Sequence, residues 1–233
     1  MTIRRMTLHH FPASRSARVK WALHETVGDD FEVVRVALYD GTQYAPEFLQ
    51  LNPNHAVPVL QIAWDDGTST TMVESAAIVA FLADAYPGAA LAPAPGASRE
   101  RADYLLALQF GATTFDHALW QVRVHEHVLL PADADPRSAA RYRRKIAEEI
   151  EPQLLRRLDA GPFACGERFT AADCVLAHDV MWARGYGLCQ DERFRGYLSR
   201  VSKRPAFAKA FADAHEFRPQ VPRESELVRR FSG

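Results

Sequence analysis

Cysteine is scarce in this chain. Cys165, Cys174 and Cys189 are widely spaced, with no Cys-x-x-Cys among them, so neither a disulfide framework nor a structural zinc centre is suggested and the thiols are expected to be reduced. Long apolar runs are missing too. No stretch approaches the ~20 consecutive apolar residues that a helical membrane span needs, and the opening Met-Thr-Ile-Arg-Arg-Met has no apolar core behind its charges. The expectation is a soluble, unexported, cytoplasmic protein. A dominant charge sign is also absent: 28 basic side chains face 29 acidic ones for a formal net charge of -1. That balance gives no global attraction to nucleic acid or to an anionic membrane, so partners must be recognised locally. The histidines form no metal signature either, since His125 and His127 are two apart and point to different faces of a helix.

What is present is a change of pattern along the chain. Residues 6–11 read as a short strand ending at Pro12, and a helix follows whose stripe includes Val19, Ala22 and Leu23, with Ser14 or Ser16 available as its N-cap. Residues 31–38 are β-branched and apolar enough for a second strand, and residues 44–51 suit a short helix ending before Asn52-Pro53. The stretch Asn52 to Leu60 then runs from a turn straight into a strand containing Val57-Pro58-Val59. Proline cannot donate to a sheet ladder, so Pro58 marks either a cis bond that turns the Val57 backbone outward or an ordinary trans proline on an edge. Asp65-Asp66-Gly67 signals a hairpin into a fourth strand. Ile78, Phe81, Leu82 and Ala85 give residues 74–86 the spacing of an amphipathic helix.

From Pro87 to Ser98 the composition turns to proline, glycine and alanine, which reads as a linker. Beyond it the pattern is helical throughout. The expected division is an α/β domain over residues 1–87, a linker over 88–98 and an all-α helical-bundle domain over 99–233. Pro152 falls inside the second long helix of that domain and should kink it. Phe169-Thr-Ala-Ala-Asp173 is a capping-box start, with Thr170 as the cap and Asp173 reaching back to its amide. The C-terminal tail, residues 217–233, is expected to be a loose end, the alternative being a cover over a pocket.

The order β-α-β-α-β-β-α, a proline at the third strand, Glu74-Ser75 opening the last helix, a linker, and a Phe-Thr-x-x-Asp cap together resemble the cytosolic glutathione S-transferases of the bacterial-type, serine-loop, theta/phi-like kind. The resemblance runs from about residue 6 to 212. It implies a thioredoxin-like N-terminal domain that binds glutathione as co-substrate, an all-α domain with the second-substrate site, no metal, and a homodimer. It also implies a detoxification-type reaction, in which the glutathione thiolate attacks a small hydrophobic electrophile or reduces a peroxide. A glutathione-dependent isomerase or dehalogenase, and a non-catalytic module on the same fold, are the alternatives.

Carried over residue by residue, the resemblance makes Val57-Pro58 the cis-proline segment whose Val57 backbone pairs with the cysteinyl part of glutathione. Glu74 and Ser75 become the pair that holds the γ-glutamyl ammonium and carboxylate; read alone, Ser75 is simply an N-cap. Ser14, four residues before Arg18, matches the serine that donates a hydrogen bond to the glutathione sulfur and lowers its pKa. Ser16 competes for that role. Arg15 is placed near the sulfur and Arg18 is read as structural. Two departures stand out. Where the family often has glycine followed by lysine or glutamine, this chain has His55 and Ala56; Ala56 reaches no ligand, and His55 is the candidate replacement. No cysteine lies near Ser14, so the thiol-reductase branches are disfavoured. Tyr104, His117 and Trp120 are the candidate walls of the second-substrate pocket.

Overall fold

The structure is a computed structural model that describes residues 1–232. Four strands form one mixed sheet in the order β2-β1-β3-β4: β1 (Ile3–His10), β2 (Glu32–Arg35), β3 (Val59–Trp64) and β4 (Ser69–Val73). β1 lies between β2, which runs parallel to it, and β3, which is antiparallel. The parallel pair requires a crossover, supplied by α1 (Ser16–Thr26). Helix α2 (Pro46–Leu51) follows β2, and α3 (Ser75–Ala85) follows β4. The second strand is shorter than its composition suggests, because it is an edge whose four residues are all exposed. This is a thioredoxin-like sheet, as the order of sequence signals implied.

The rest of the chain is helical. α4 (Arg99–Gln109) and α5 (Asp116–Arg123) are joined without a break by a π-helical stretch, Phe110–Phe115, and α5 runs on through a second one, Val124–Val128. α6 (Pro136–Lys145) and α7 (Glu151–Ala160) are joined in the same way by Ile146–Ile150. The expected kink at Pro152 is thus absorbed by wide helical turns just before it, a known way of accommodating a missing N–H and a crowded ring.

α8 (Ala171–Gly185) is the central helix, and eleven of its residues are buried. Its start has the expected box: Asp173 Oδ2 accepts from the Thr170 N–H at 2.8 Å. Asp173 Oδ1 also accepts from the Ala164 N–H and the Tyr197 hydroxyl, each at 2.8 Å, so this one carboxylate pins three segments. α9 (Glu192–Val201), α10 (Pro205–Ala210) and α11 (Glu226–Phe231) complete the chain.

The sheet part and the helical part share one core. Trp21 on α1 is fully buried and packs against Phe169, Phe207 and Phe211, with ring centroids 5.0 to 6.0 Å away. The proline- and alanine-rich stretch after α3 is also tied down: Leu91 is 1% exposed and its carbonyl accepts from the Ala171 N–H at 2.7 Å.

The tail differs from the loose end that its composition suggested. Val221 donates its N–H to the His127 carbonyl at 3.1 Å. Val221 and Val228 are buried against Val128, so the tail contributes a small apolar cluster of its own.

Candidate functional site

Two cavities meet along the seam between the sheet and the helices. The first, of about 330 Å³, is lined from the sheet side by Asn52, Asn54, Val57, Pro58, Glu74 and Ser75, and from the helical side by Ala112, Asp116, His117 and Trp120, with Arg15 and Arg18 between. The second, of about 440 Å³, is largely aromatic and aliphatic. Its walls include Phe11, Tyr39, Trp120, Met181, Trp182 and Phe217, and Leu227 and Phe231 from the tail cover it. Arg15, Asn54, Ala56, Val57 and Trp120 line both, so the two spaces are neighbours across a shared wall.

The Val57-Pro58 bond is cis. The turn before it is organised by Asn52, which is 3% exposed. Its side-chain oxygen accepts from the Asn54 N–H at 3.0 Å, and its amide donates to the Ala56 carbonyl at 2.8 Å. An asparagine can satisfy two backbone partners at once because it carries both a donor and an acceptor. His55 takes up a left-handed conformation (φ 45°) and lays its ring 4.9 Å from that of Tyr44, where it borders the second cavity.

Glu74 also has positive φ, 69°, immediately before α3. A non-glycine residue held there is unusual and tends to occur at ligand sites. Ser75 is the first residue of α3 rather than its cap, and its Oγ accepts from Arg18 Nη1 at 3.4 Å.

Behind this cavity lies a cluster of charges. Arg18, 1% exposed, reaches Asp116 Oδ2 at 2.6 Å, also contacts Asp179, and donates through Nε to His178 Nδ1 at 3.1 Å. Arg15 grips Asp116 with Nε at 2.8 Å and stacks between the rings of Trp120 (5.0 Å) and Trp182 (5.2 Å). Burial alone would raise the Asp116 carboxyl, but the two guanidinium charges outweigh it and hold that group well below the usual carboxylate range. Asp179, with no exposed surface, is pushed the other way by burial, against the pull of Arg18. His178 is pushed down to about 3 by burial, then by the charge of Arg18. A neutral ring fits its contacts: Nδ1 accepts from Arg18 and Nε2 donates to the Ala13 carbonyl at 3.1 Å. α8 thereby holds the loop that carries Ser14.

In that loop the two serines stand in different surroundings. Ser14 lines the second cavity, and its Oγ donates to the Phe11 carbonyl at 2.8 Å. Ser16 is fully buried, with its Oγ 2.7 Å from His10 Nδ1 and within reach of the Phe11 N–H at 3.1 Å. His10 is pushed down to about 4, by burial first and then by the charge of Lys20. Its Nε2 therefore donates to the Asp213 carboxylate at 3.1 Å, which leaves Nδ1 as an acceptor and directs the Ser16 proton away from the cavities.

The remaining sequence candidates divide. His117 and Trp120 line the first cavity and Trp120 also the second, whereas Tyr104 is 0% exposed and borders neither of them. Its position on α4 faces the core, where Arg101 lies over its ring at 5.3 Å, so it is a packing residue and not a cavity wall. Asn52, Asp116, His178 and Trp182 are not singled out as site residues in the sequence, while the tail lines the second cavity, which is the alternative to a loose end. Asn52 alone carried a readable local signal, an Asx-turn residue before a proline. No group of histidine, cysteine and acidic side chains suited to a metal ion occurs among the described residues.

The fold and the site define a class of two-part proteins, in which a thioredoxin-like sheet with a cis-proline turn facing a helix N-terminus is backed by an all-helical half. Residues 4–84 match the family model described as glutathione S-transferase, N-terminal domain. The chain is 31% identical over 209 residues to a maleylacetoacetate isomerase of Rhizobium meliloti, covering 88% of this chain and 93% of that relative. It is 27% identical over 213 residues to the glutathione S-transferase GstA of Escherichia coli O157:H7, covering 89% and 98%. Among solved structures it is similar to a ternary complex of BphK, a bacterial glutathione S-transferase, with TM-score 0.76 and 28% identity over 90% of this chain and 99% of that one. A sphingomonad glutathione S-transferase complexed with glutathione superimposes with TM-score 0.74 at 27% identity, covering 90% and 98%. The chain belongs to the glutathione S-transferase family.

Proposed function

We propose that the protein is a glutathione-dependent enzyme that activates the thiol of glutathione and brings it against a hydrophobic electrophile. The observation that carries this reading is the adjacency of the two cavities, which share Val57 and Arg15 in their walls, with Ser14 bordering the aromatic one. Glutathione would lie in the first cavity, its cysteinyl backbone against Val57 and its γ-glutamyl group at Glu74 and Ser75. The N-terminus of α3 suits a carboxylate there because its free N–H groups and helix dipole both favour negative charge. The Ser14 hydroxyl, which now donates to a carbonyl, turns its proton to the sulfur, since a bond to a thiolate is stronger than one between neutral groups. The sulfur is the nucleophile, and the protein contributes thiol ionisation and proximity.

Conjugation to an electrophilic carbon is the reaction we favour. A glutathione-dependent cis–trans isomerisation is the second reading, supported by relatives named maleylacetoacetate isomerase; there the thiolate adds to a double bond and leaves again. Calorimetric titration with glutathione tests the first half of the proposal, and no binding at millimolar ligand would defeat it. Glutathione consumption with a panel of electrophiles tests the second. We also propose a homodimer, a reading supported by exposed Leu105 and Leu106 on α4, which are 41% and 62% accessible in the isolated chain. A monomeric mass in solution would overturn that part alone.

A further inference from the structure

Arg123 on α5 is an arginine out of place. It is 7% exposed and borders the aromatic cavity. Its Nη1 donates to the Tyr186 hydroxyl at 3.2 Å and to the Pro219 carbonyl at 3.0 Å, and its guanidinium lies 4.9 Å from the Phe217 ring centre. These contacts fix its position without neutralising it, and among the described residues no carboxylate stands within ion-pair distance. The acids nearby are engaged elsewhere: Glu126 is held by both Arg143 Nε and Nη2 at 2.6 Å, and Asp116 is shared by Arg15 and Arg18. Arginine cannot escape burial by losing its proton, as lysine can. A cation removed from water with only neutral oxygens for company is costly to maintain unless an anion completes it.

A second donor on the same wall points the same way. The Trp182 indole N–H is buried and has no partner among the described residues, although tryptophan is a donor only and normally finds an acceptor when buried. Trp182 lies beside Tyr186, with ring centroids 6.3 Å apart, and Tyr186 is the residue whose hydroxyl holds Arg123. The wall of the largely apolar cavity therefore carries a guanidinium with no counter-charge and, close by, a buried indole N–H with no acceptor.

We propose that the aromatic cavity selects an electrophile with an apolar body and a carboxylate, the carboxylate being received by Arg123 with the Trp182 N–H as a second donor. The cavity as electrophile site comes from the functional reading above; the anion preference comes from Arg123 and Trp182 alone. The tail takes part in recognition, because Pro219 holds the guanidinium while Leu227 and Phe231 cover the apolar body.

The test separates binding from turnover. Quenching of tryptophan fluorescence in the full chain is measured with meta-nitrobenzoate and meta-nitrobenzamide, which are unreactive, similar in shape and different in charge. The wild type is expected to bind the carboxylate about tenfold to a hundredfold more tightly, the range for a hydrogen bond to a charged group. That ratio should fall towards one in Arg123→Gln and be partly kept in Arg123→Lys, which retains the charge but not the planar fork. Equal binding of the two by the wild type overturns the proposal, and so does a preference that survives in Arg123→Gln. Should Arg123→Gln fail to fold by circular dichroism, the wild-type pair still decides and Arg123→Met takes the place of the glutamine variant, a carboxylate preference that survives there again overturning the proposal. A protein that shows the preference but consumes no glutathione loses the enzymatic reading and keeps the anion site.

Discussion

The Oγ atoms of Ser14 and Ser16 are 2.8 Å apart, yet only Ser14 borders a cavity, while Ser16 is turned inward to His10. One hydroxyl is free to exchange its partner and the other is committed. Ser14→Ala should therefore raise the pKa of the bound glutathione thiol by about one to two units, the equivalent of losing one charge-assisted hydrogen bond. Ser16→Ala should leave that pKa in place and lower stability by about 1 to 3 kcal/mol, because His10 and the Phe11 N–H lose a buried partner. Ultraviolet thiolate absorbance against pH, together with denaturant unfolding, tells the two apart. A thiol pKa that moves in Ser16→Ala and not in Ser14→Ala would reverse the roles.

His10 and His178 are both kept neutral, at about 4 and about 3 respectively, in each case chiefly by burial. Their folded pKa values lie below the unfolded value, so the unfolded chain takes up protons first. The stability they help to maintain is complete above pH ~6.5 and is lost as the pH falls below it. The buried Asp173 and Asp179, whose pKa values are raised by burial, act in the opposite sense, so the informative quantity is a difference. The stability gap between wild type and His178→Gln should narrow by up to about 1.4 kcal/mol per pH unit below pH ~6.5. A gap that stays constant through mild acid would show that His178 is not neutral.

Gly111 sits where the π-helical stretch after α4 crosses α8. A Cβ added there would lie 2.9 Å from Val175 Cγ1, 3.1 Å from Leu176 Cδ2 and 3.3 Å from Asp179 Oδ2. Alanine favours a helix by ~1 kcal/mol over glycine, but overpacking a tight helix contact costs ~1 to 3 kcal/mol. Gly111→Ala should thus be destabilising, with a lowered denaturant midpoint at unchanged slope. A stabilised variant would mean that α8 yields more easily than its packing suggests.

Thr170→Ala should cost ~0.5 to 2 kcal/mol, the usual range for a lost helix cap. Asp173→Ala should cost more, because it strands the Ala164 N–H and the Tyr197 hydroxyl as well as the cap amide. Equal losses in thermal unfolding of the two variants would contradict the view that Asp173 is the shared anchor.

Much of this fold is legible in the chain because its signals are local. Val57-Pro58, the Asp65-Asp66-Gly67 hairpin and the Thr170 to Asp173 box each declare themselves within a few residues. The parts that escape are those that form only when distant segments meet. Arg18 gives no hint in the sequence that it will contact Asp116 and Asp179, and Ser16 none that it will be held by His10, itself bonded to Asp213. Tyr104 shows the opposite problem: an aromatic on a helical stripe is more often core than cavity wall, and only the facing helix decides between them. The tail misled for a related reason, since its buried or covering aliphatic and aromatic residues, Val221, Leu227, Val228 and Phe231, are too few to signal burial until their partners are known.

The stretch Phe110–Phe115 winds more widely than the helices on either side, holding the place of a turn with one residue to spare. Each residue of an α-helix advances the chain by about 100°. Deleting one residue from an ordinary α-helix would swing everything after it by roughly that angle, but deleting one here would remove the surplus, restore an ordinary winding and leave α5 nearly in its present phase relative to α4. Asp116, His117 and Trp120 would keep their places on the seam, and Arg123 with them, whereas a deletion within the regular winding of α4 would carry all four away together. The wide stretch is thus the part of this long helical rod that can lose a residue without putting the walls of both cavities out of phase.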